Sequence, residues 1–282
     1  MEIRVKASVT MPRTKVLITV TTYPLPSSKY QELVCTAGVL ENGDWIRIYP
    51  IPLSSLVKNR FRKYHWIELD LDKRDAKKDF RPETHTPKHK DLADLAVLTK
   101  IGTDNSWEER KKYCLKHCYT SMDKLIEDAH NKKIYRSLAV FKPKEIIDFE
   151  IIEDEDDWKP QWKAHMQQLC MDMGDDVQKI NIRKVPYKFK YVFTDEDGKK
   201  RNMMVEDWEI GQLYWNCLRD SNNNKAEAIK KVRQRCFDDL AKTKDLYFFL
   251  GTTLQWHQRK ARNPFVIVGL FYPTKVIQPS LF

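Results

Sequence analysis

The chain is poor in glycine, with 8 in 282 residues, and the chemistry that leans on glycine is missing with it. No GxGxxG, GxxxxGK[ST] or GxSxG string occurs, which excludes the backbone cradles of dinucleotide enzymes, P-loop ATPases and nucleophile-elbow hydrolases. HExxH is absent too. No apolar run approaches the roughly 20 residues that cross a bilayer, so no membrane partner is expected. The opening MEIRVKASVTMPRTK lacks the apolar stretch of a secretory leader. Six cysteines (35, 114, 118, 170, 217, 236) are scattered without paired spacing. That pattern suits free thiols in a reduced cytoplasm, the expected localisation. Cys114, His117 and Cys118 have helical spacing, but no second pair completes a four-ligand zinc set. The acidic run Glu153–Asp157 reads as the charged start of a helix. Neither a metal nor a cofactor is expected.

What is present is charge and aromatic surface. Fifty Lys and Arg against forty Asp and Glu give a net charge of +10, which favours a polyanionic partner, DNA or RNA. Eight Trp, 12 Tyr and 12 Phe supply stacking surfaces beside those cations. The 41% hydrophobic content supports a real core.

Residues 15–50 organise the reading. Lys15–Thr21 is β-branched and apolar, a buried strand. Glu32–Leu40 and Trp45–Tyr49 flank Asn42-Gly43, a hairpin turn. Pro50–Pro52 is expected to end the third strand. The loop 21–30 carries Pro24 and Pro26, which fix φ and remove donors. Leu53–Arg62 reads as a short basic helix, Trp66–Leu71 as a half-buried strand, and 73–90 as an exposed basic loop. A helix pair is expected at Trp107–Cys118 and Ser121–Asn131, followed by strands at Ser137–Phe141 and Ile146–Ile152 and a helix from Pro160 to Gly174. Beyond these come strands at Tyr187–Thr194 and Arg201–Glu206, a helix capped by Asp207, a helix at Lys225–Ala241, and strands at Leu246–Leu250 and Phe265–Phe271. Strand-rich ends around a helical middle indicate α+β, with a mixed or barrel-like sheet shared by the N- and C-terminal strands. One domain of 1–282 is expected, with the acidic run near 153–158 as the candidate for a subdivision.

A shared sheet would bring loops 21–30 and 251–260 to one end. The expected pocket has Tyr23 and Trp256 as walls and Thr22, Ser27, Glu32 and His257 as its polar lining. Acid–base chemistry on a base needs one carboxylate near aromatic walls. Glu32 is the first candidate and Asp207 the next, with His257 the best-placed histidine. The bland alternatives are turn-capping hydroxyls, a helix cap at Asp207 and a surface histidine. Lys230, Lys231, Arg233 and Arg235 on the outer face of 225–241 are the candidate phosphate contacts, or simply a solvated face.

The strings TTYPLPSSKYQELVCTAG, GDWIRIYPIP, DWEIGQLYWN and YFFLGTT…NPFVIVGLFYP resemble those of a family of uncharacterised bacterial proteins. That family is associated with mobile-element and anti-phage gene neighbourhoods, where one known activity is a DNA glycosylase that removes modified bases from phage DNA. The resemblance implies a setting; no glycosylase motif maps onto this chain, and no catalytic residue is carried over. Three functions follow as expectations: a DNA N-glycosylase excising modified bases, a non-catalytic DNA or RNA reader of the PUA or ASCH kind, and a protein-targeting interaction or toxin-type protein.

Overall fold

The computed structural model describes residues 13–22, 33–52, 61–89, 91–160 and 183–275. Two seven-stranded sheets account for the fourteen strands found there. The first sheet comes from the N-terminal part: β1 (Thr14–Thr21), β2 (Leu33–Val39), β3 (Trp45–Pro52), β4 (His65–Leu69), β5 (Leu71–Lys73), β6 (Thr84–Pro87) and β7 (Ala96–Lys100). Their order is β5-β6-β3-β2-β1-β4-β7, antiparallel except at β3–β6. After α1 (Asp104–Cys114), the second sheet takes β8 (Cys118–Tyr119), β9 (Leu138–Phe141), β10 (Glu145–Glu153), β11 (Tyr187–Thr194), β12 (Lys200–Val205), β13 (Tyr247–Thr252) and β14 (Phe265–Phe271). Its order is β10-β11-β12-β14-β13-β9-β8, with parallel pairs at β12–β14 and β8–β9. Helices α2 (Met122–His130), α3 (Trp208–Arg219), α4 (Lys225–Arg233) and α5 (Leu254–Gln258) complete the set, α4 running on as a π-helical segment Gln234–Ala241. The class is α+β with mixed sheets.

The opening and closing strands do not share one sheet. They meet through their faces. Leu17, Val20, Ala37, Val39 and Trp45 of the first sheet form one buried cluster with Leu138, Val140, Phe249, Val268 and Phe271 of the second. Sequence alternation reports which side chains are buried but not which sheet covers them. The closeness is set by small residues: a Cβ on Gly269 would lie 3.4 Å from Val20 Cγ2. The acidic run 153–157 lies between β10 and β11, which pair along their whole length.

Local chemistry explains most boundaries. Gly43 takes φ +85° in the β2–β3 turn. Ser121 caps α2 by accepting the Lys124 amide at 3.3 Å. Prolines do not end β3 at residue 49, because pairing shifts there from Thr36↔Ile48 to Val34↔Ile51. Tyr49-Pro50 sits at that bulge, where a missing N–H is tolerated. The buried stripe of the 225–241 helix runs through Ala228, Val232, Cys236 and Leu240, whereas Ala226 faces solvent. That four-residue spacing exceeds an α-turn, and the π-helical segment takes up the difference. The proposed helix at 53–62 and the one at 160–174 fall almost wholly outside the described residues.

The stretch 73–90 is the main correction. It is not an exposed loop throughout: Asp79, Arg81, Glu83 and Thr84 are all buried. Arg81 binds Asp79 through Nε–H (2.8 Å) and Nη2–H (2.6 Å), and donates from Nη1 to the Thr252 carbonyl at 2.7 Å. Glu83 accepts the Ser137 amide (3.0 Å) and hydroxyl (2.7 Å). Arg47, 1% exposed, donates to Ser137 Oγ (2.8 Å), the Ser137 carbonyl (3.1 Å) and Thr84 Oγ1 (3.2 Å).

The tightest point of the first sheet supplies a test. A Cβ at Gly38 would stand 2.2 Å from the Leu17 carbonyl oxygen and 2.8 Å from Val16 Cγ1. Gly38→Ala should therefore destabilise the fold by about 3 kcal/mol, at the upper end of overpacking costs. Equilibrium urea denaturation reads this, and an unchanged midpoint would show that β1 and β2 can move apart freely.

Candidate nucleic-acid interface

Three polar segments are clipped together by a ring cluster at one end of β13. Phe80 meets His257 edge-on at 4.8 Å between centroids and Tyr135 at 4.9 Å, and Tyr135 lies 6.2 Å from His257. Phe80 belongs to the turn before Arg81, Tyr135 to the loop after α2, and His257 to α5. The cluster holds the segments 75–80, 131–135 and 254–262 side by side.

The local structure of α5 dictates what its side chains do. Thr253 caps it, accepting the Trp256 amide at 3.3 Å. His257 turns inward and is 3% exposed. Its Nε2 lies 2.7 Å from the Ala129 carbonyl and its Nδ1 3.1 Å from Thr252 Oγ1. The consistent tautomer donates from Nε2–H to the carbonyl and accepts the threonine hydroxyl at Nδ1. Burial, with Arg81 also close, holds the imidazole below its ordinary pKa, although the bond to Ala129 opposes the shift. His257 is a neutral clamp between α2 and β13. Its neighbour in sequence, Trp256, points out, 55% exposed.

Around that indole the surface is basic. Lys77, Lys78, Lys132, Lys133, Arg259, Lys260 and Arg262 are all exposed. Each lies on one of the three clipped segments or just beyond it. None forms an ion pair with a described residue. The outer face of 225–241 is different. There Lys231 pairs with Glu227 at 3.3 Å, Arg233 with Asp148 at 2.7 Å and Arg235 with Asp239 at 3.5 Å. Of those four candidates Lys230 alone has no partner among the described residues. Cations already neutralised have less to offer a phosphate.

The other candidate residues lie elsewhere. Thr22 and Asp207 are brought together in an antiparallel β-bridge. Asp207 caps α3, accepting the Glu209 amide at 3.1 Å, and is 3% exposed. Lys63, just before β4, reaches across from the first half of the chain. Its ammonium donates to both Asp207 oxygens (3.0 and 3.1 Å) and to Glu209 Oε2 (2.9 Å). Burial opposes the Lys63 charge, but Asp207 and Glu209 outweigh it and raise its pKa. Burial likewise pushes the Asp207 carboxyl up, against the pull of Lys63. The Glu209 side chain is half open, at 52%.

Rings gather beside these carboxylates as well. Trp107 packs on Tyr272 (5.0 Å) and Phe271 (5.2 Å), and the Arg110 guanidinium lies 3.7 Å from the Tyr64 ring centroid. Tyr64, Asn105, Ser106 and Trp107 have φ between +47° and +68°, conformations that L-residues hold only where their surroundings impose them. Thr252 pairs with Phe265, at the start of β14, whereas Tyr272 follows its end. At about 3.3 Å per residue the two ends are roughly 23 Å apart. His257 and Trp256 therefore sit at one end of β14, and Tyr272 at the other. Tyr23, Ser27 and Glu32 lie outside the described residues. Nothing in the sequence tied Lys63 to Asp207, 144 positions away; a lone cation before a strand carries no such signal.

Comparison with known proteins adds the family. Residues 118–282 match a family model described as a domain of unknown function, DUF8757, and residues 12–116 match a second, DUF8758. The chain belongs to the DUF8757 family. The two matched regions meet between β7 and β8, where the first sheet gives way to the second. No curated protein matches the chain. Among solved structures, one match is a murine DNA-binding protein bound to double-stranded DNA, at 10% identity and a TM-score of 0.31, covering 96% of this chain and 100% of that one. Likeness of that degree carries no argument about function. Among the described residues no helix is long and apolar enough to cross a membrane.

The His257 clamp sets a pH dependence. The folded state holds its proton less tightly than the unfolded chain, where the pKa is about 6.5. Its contribution is then complete above about pH 6.5 and is lost as pH falls through the lowered folded value. Acidification from pH 7 to pH 5 should lower the denaturation midpoint of the wild type more than that of His257→Gln. Equal slopes would show that the imidazole is not held neutral.

Proposed function

We propose that this protein binds nucleic acid through the face formed by residues 75–80, 131–135 and 254–262. The observation that carries the reading is the exposed Trp256 amid seven exposed cations that no described carboxylate neutralises. An indole offers a sequence-tolerant stacking platform, worth roughly 1–3 kcal/mol per base. Lysine and arginine side chains track the phosphates and release counterions on binding. The net charge of +10 supports the same reading. Binding of this kind is that of a reader, with no chemistry of its own.

The test is charge reversal. Lys132→Glu with Lys133→Glu, and Arg259→Glu with Lys260→Glu, should weaken binding to duplex and single-stranded probes alike. Each lost phosphate contact should reduce the salt slope by about one. Trp256→Ala should favour the loss of single-stranded over duplex binding. Reversing Lys230 and Lys231 provides the contrast: a larger effect there would move the phosphate contacts to the outer face of α4.

A second reading adds catalysis on a base, and the Lys63–Asp207–Glu209 cluster favours it. In N-glycosidic hydrolysis, water attacks the anomeric carbon and the C–N bond breaks. The base leaves with the bonding electrons, and the proton that the water gives up to a carboxylate is passed on to the departing base. Glu209, hydrogen-bonded to the Lys63 ammonium and half open to solvent, would orient that water. Asp207 would fix Lys63 and the start of α3. The rings of Trp107 and Tyr272 would wall the site. Excision of modified bases, as in phage defence, is the concrete form of this proposal. Incubation with plain and modified duplexes, followed by scoring of alkali-labile abasic sites, decides it. Abasic product that disappears in Glu209→Gln supports hydrolysis; tight binding without product leaves the reader.

A further inference from the structure

We propose that Asp70, His89 and Asp94 form a binding site for one divalent transition-metal ion of the zinc or manganese class. The three residues come from three separate segments: Asp70 joins β4 to β5, His89 follows β6, and Asp94 precedes β7. Backbone bonds bring them together. The Lys88 amide donates to the Asp70 carbonyl at 3.0 Å, and the Asp70 amide donates to Asp94 Oδ2 at 2.6 Å. Leu92, 1% exposed in the core beneath the first sheet, pins the connecting loop from inside. One oxygen from each aspartate and one imidazole nitrogen then lie within 4.8 Å of one another, the spacing of ligands around a single ion.

Two further facts point to a cation. Asp94 Oδ1 is shut off from solvent and has no hydrogen-bond partner, although a buried carboxylate oxygen left unpaired is costly. Its companion Oδ2 is already held by the Asp70 amide, so Oδ1 is the free donor. Two carboxylates also approach each other here with no ion pair to a described lysine or arginine, an arrangement that a divalent charge relieves. The mixed donor set selects among ions: the imidazole suits zinc or iron better than calcium or magnesium, and the two carboxylates also admit manganese. Three protein ligands leave positions for water. The proposal does not depend on the nucleic-acid reading.

The experiment uses the whole chain, stripped with chelator and titrated with Mn²⁺ while the signal of the free aqueous ion is followed by electron paramagnetic resonance. One equivalent of bound Mn²⁺, displaced by Zn²⁺, is expected. His89→Ala, a change at an exposed position, should weaken binding at least tenfold, and Asp94→Asn likewise. Asp91→Asn, in the same loop but outside the cluster, should bind as the wild type does. Circular dichroism on each variant keeps loss of folding distinct from loss of ligand. Absence of stoichiometric binding in the wild type, or binding undiminished in both His89→Ala and Asp94→Asn, overturns the proposal.

Discussion

A charged guanidinium sealed between two sheets governs how this molecule is put together. Arg47 sits on β3, in the middle of the first sheet, at 1% exposure. Unpaired, a buried ion of this kind is strongly destabilising, by about 3–5 kcal/mol in comparable cases. Two of its partners, the hydroxyl and carbonyl of Ser137, belong to the second half of the chain. Glu83 takes the Ser137 amide and hydroxyl from the other side. Arg81 repeats the device on the Thr252 carbonyl and Lys63 on Asp207. Three cations of the first half are thus satisfied by the second. The apolar contact between the sheets has no preferred register by itself; these directional bonds fix one.

Much of the strand plan was legible because it rests on local rules. Lys15–Thr21 and Phe265–Phe271 are runs dense in β-branched and aromatic side chains, and both are strands. In Tyr187–Thr194 the alternation of Phe189, Tyr191 and Phe193 correctly marks the buried face. Asp207 caps the helix expected of it. Which sheet each strand joins was not legible. Face-to-face packing and edge-to-edge pairing place the same residues in the core, and only long-range hydrogen bonds distinguish them. The stretch 73–90 was misread for a related reason. Asp79 and Arg81 look solvated by composition, yet each supplies the partner that lets the other be buried.

For the site, residue type was legible and role was not. Trp256 and His257 are adjacent in sequence and equally eligible for a pocket. The first turn of α5 sends one to solvent and the other into a clamp between Ala129 and Thr252. Lys77 and Lys78 lie in a basic stretch that the sequence allows to meet a phosphate backbone, whereas Lys132 and Lys133 carry no signal because cations are common throughout this chain. Their meaning comes from position beside α5, through rings of Phe80 and Tyr135 that are 55 residues apart in sequence. The charged helix at 225–241 was conspicuous precursor material for a phosphate surface. Its own carboxylates and Asp148 of β10 claim most of it.

The basic face and the seam between the sheets are not independent. Residues 75–80 belong to the first half of the chain and residues 131–135 and 254–262 to the second, so the face exists only while the halves are docked. The bonds that dock them pass directly beneath it: Arg81 is next to Phe80, Ser137 two residues beyond Tyr135, and Thr252 both receives Arg81 and holds the His257 ring. A polyanion on the face would touch both halves and would favour the docked state by its own binding free energy. Conversely, loosening at Arg81 or Ser137 would spread Lys77 and Lys78 away from Arg259 and Lys260. Neither region matched by a family model carries all three segments alone. On the proposed reading, recognition at this face would depend on the same buried charges that hold the two sheets in register.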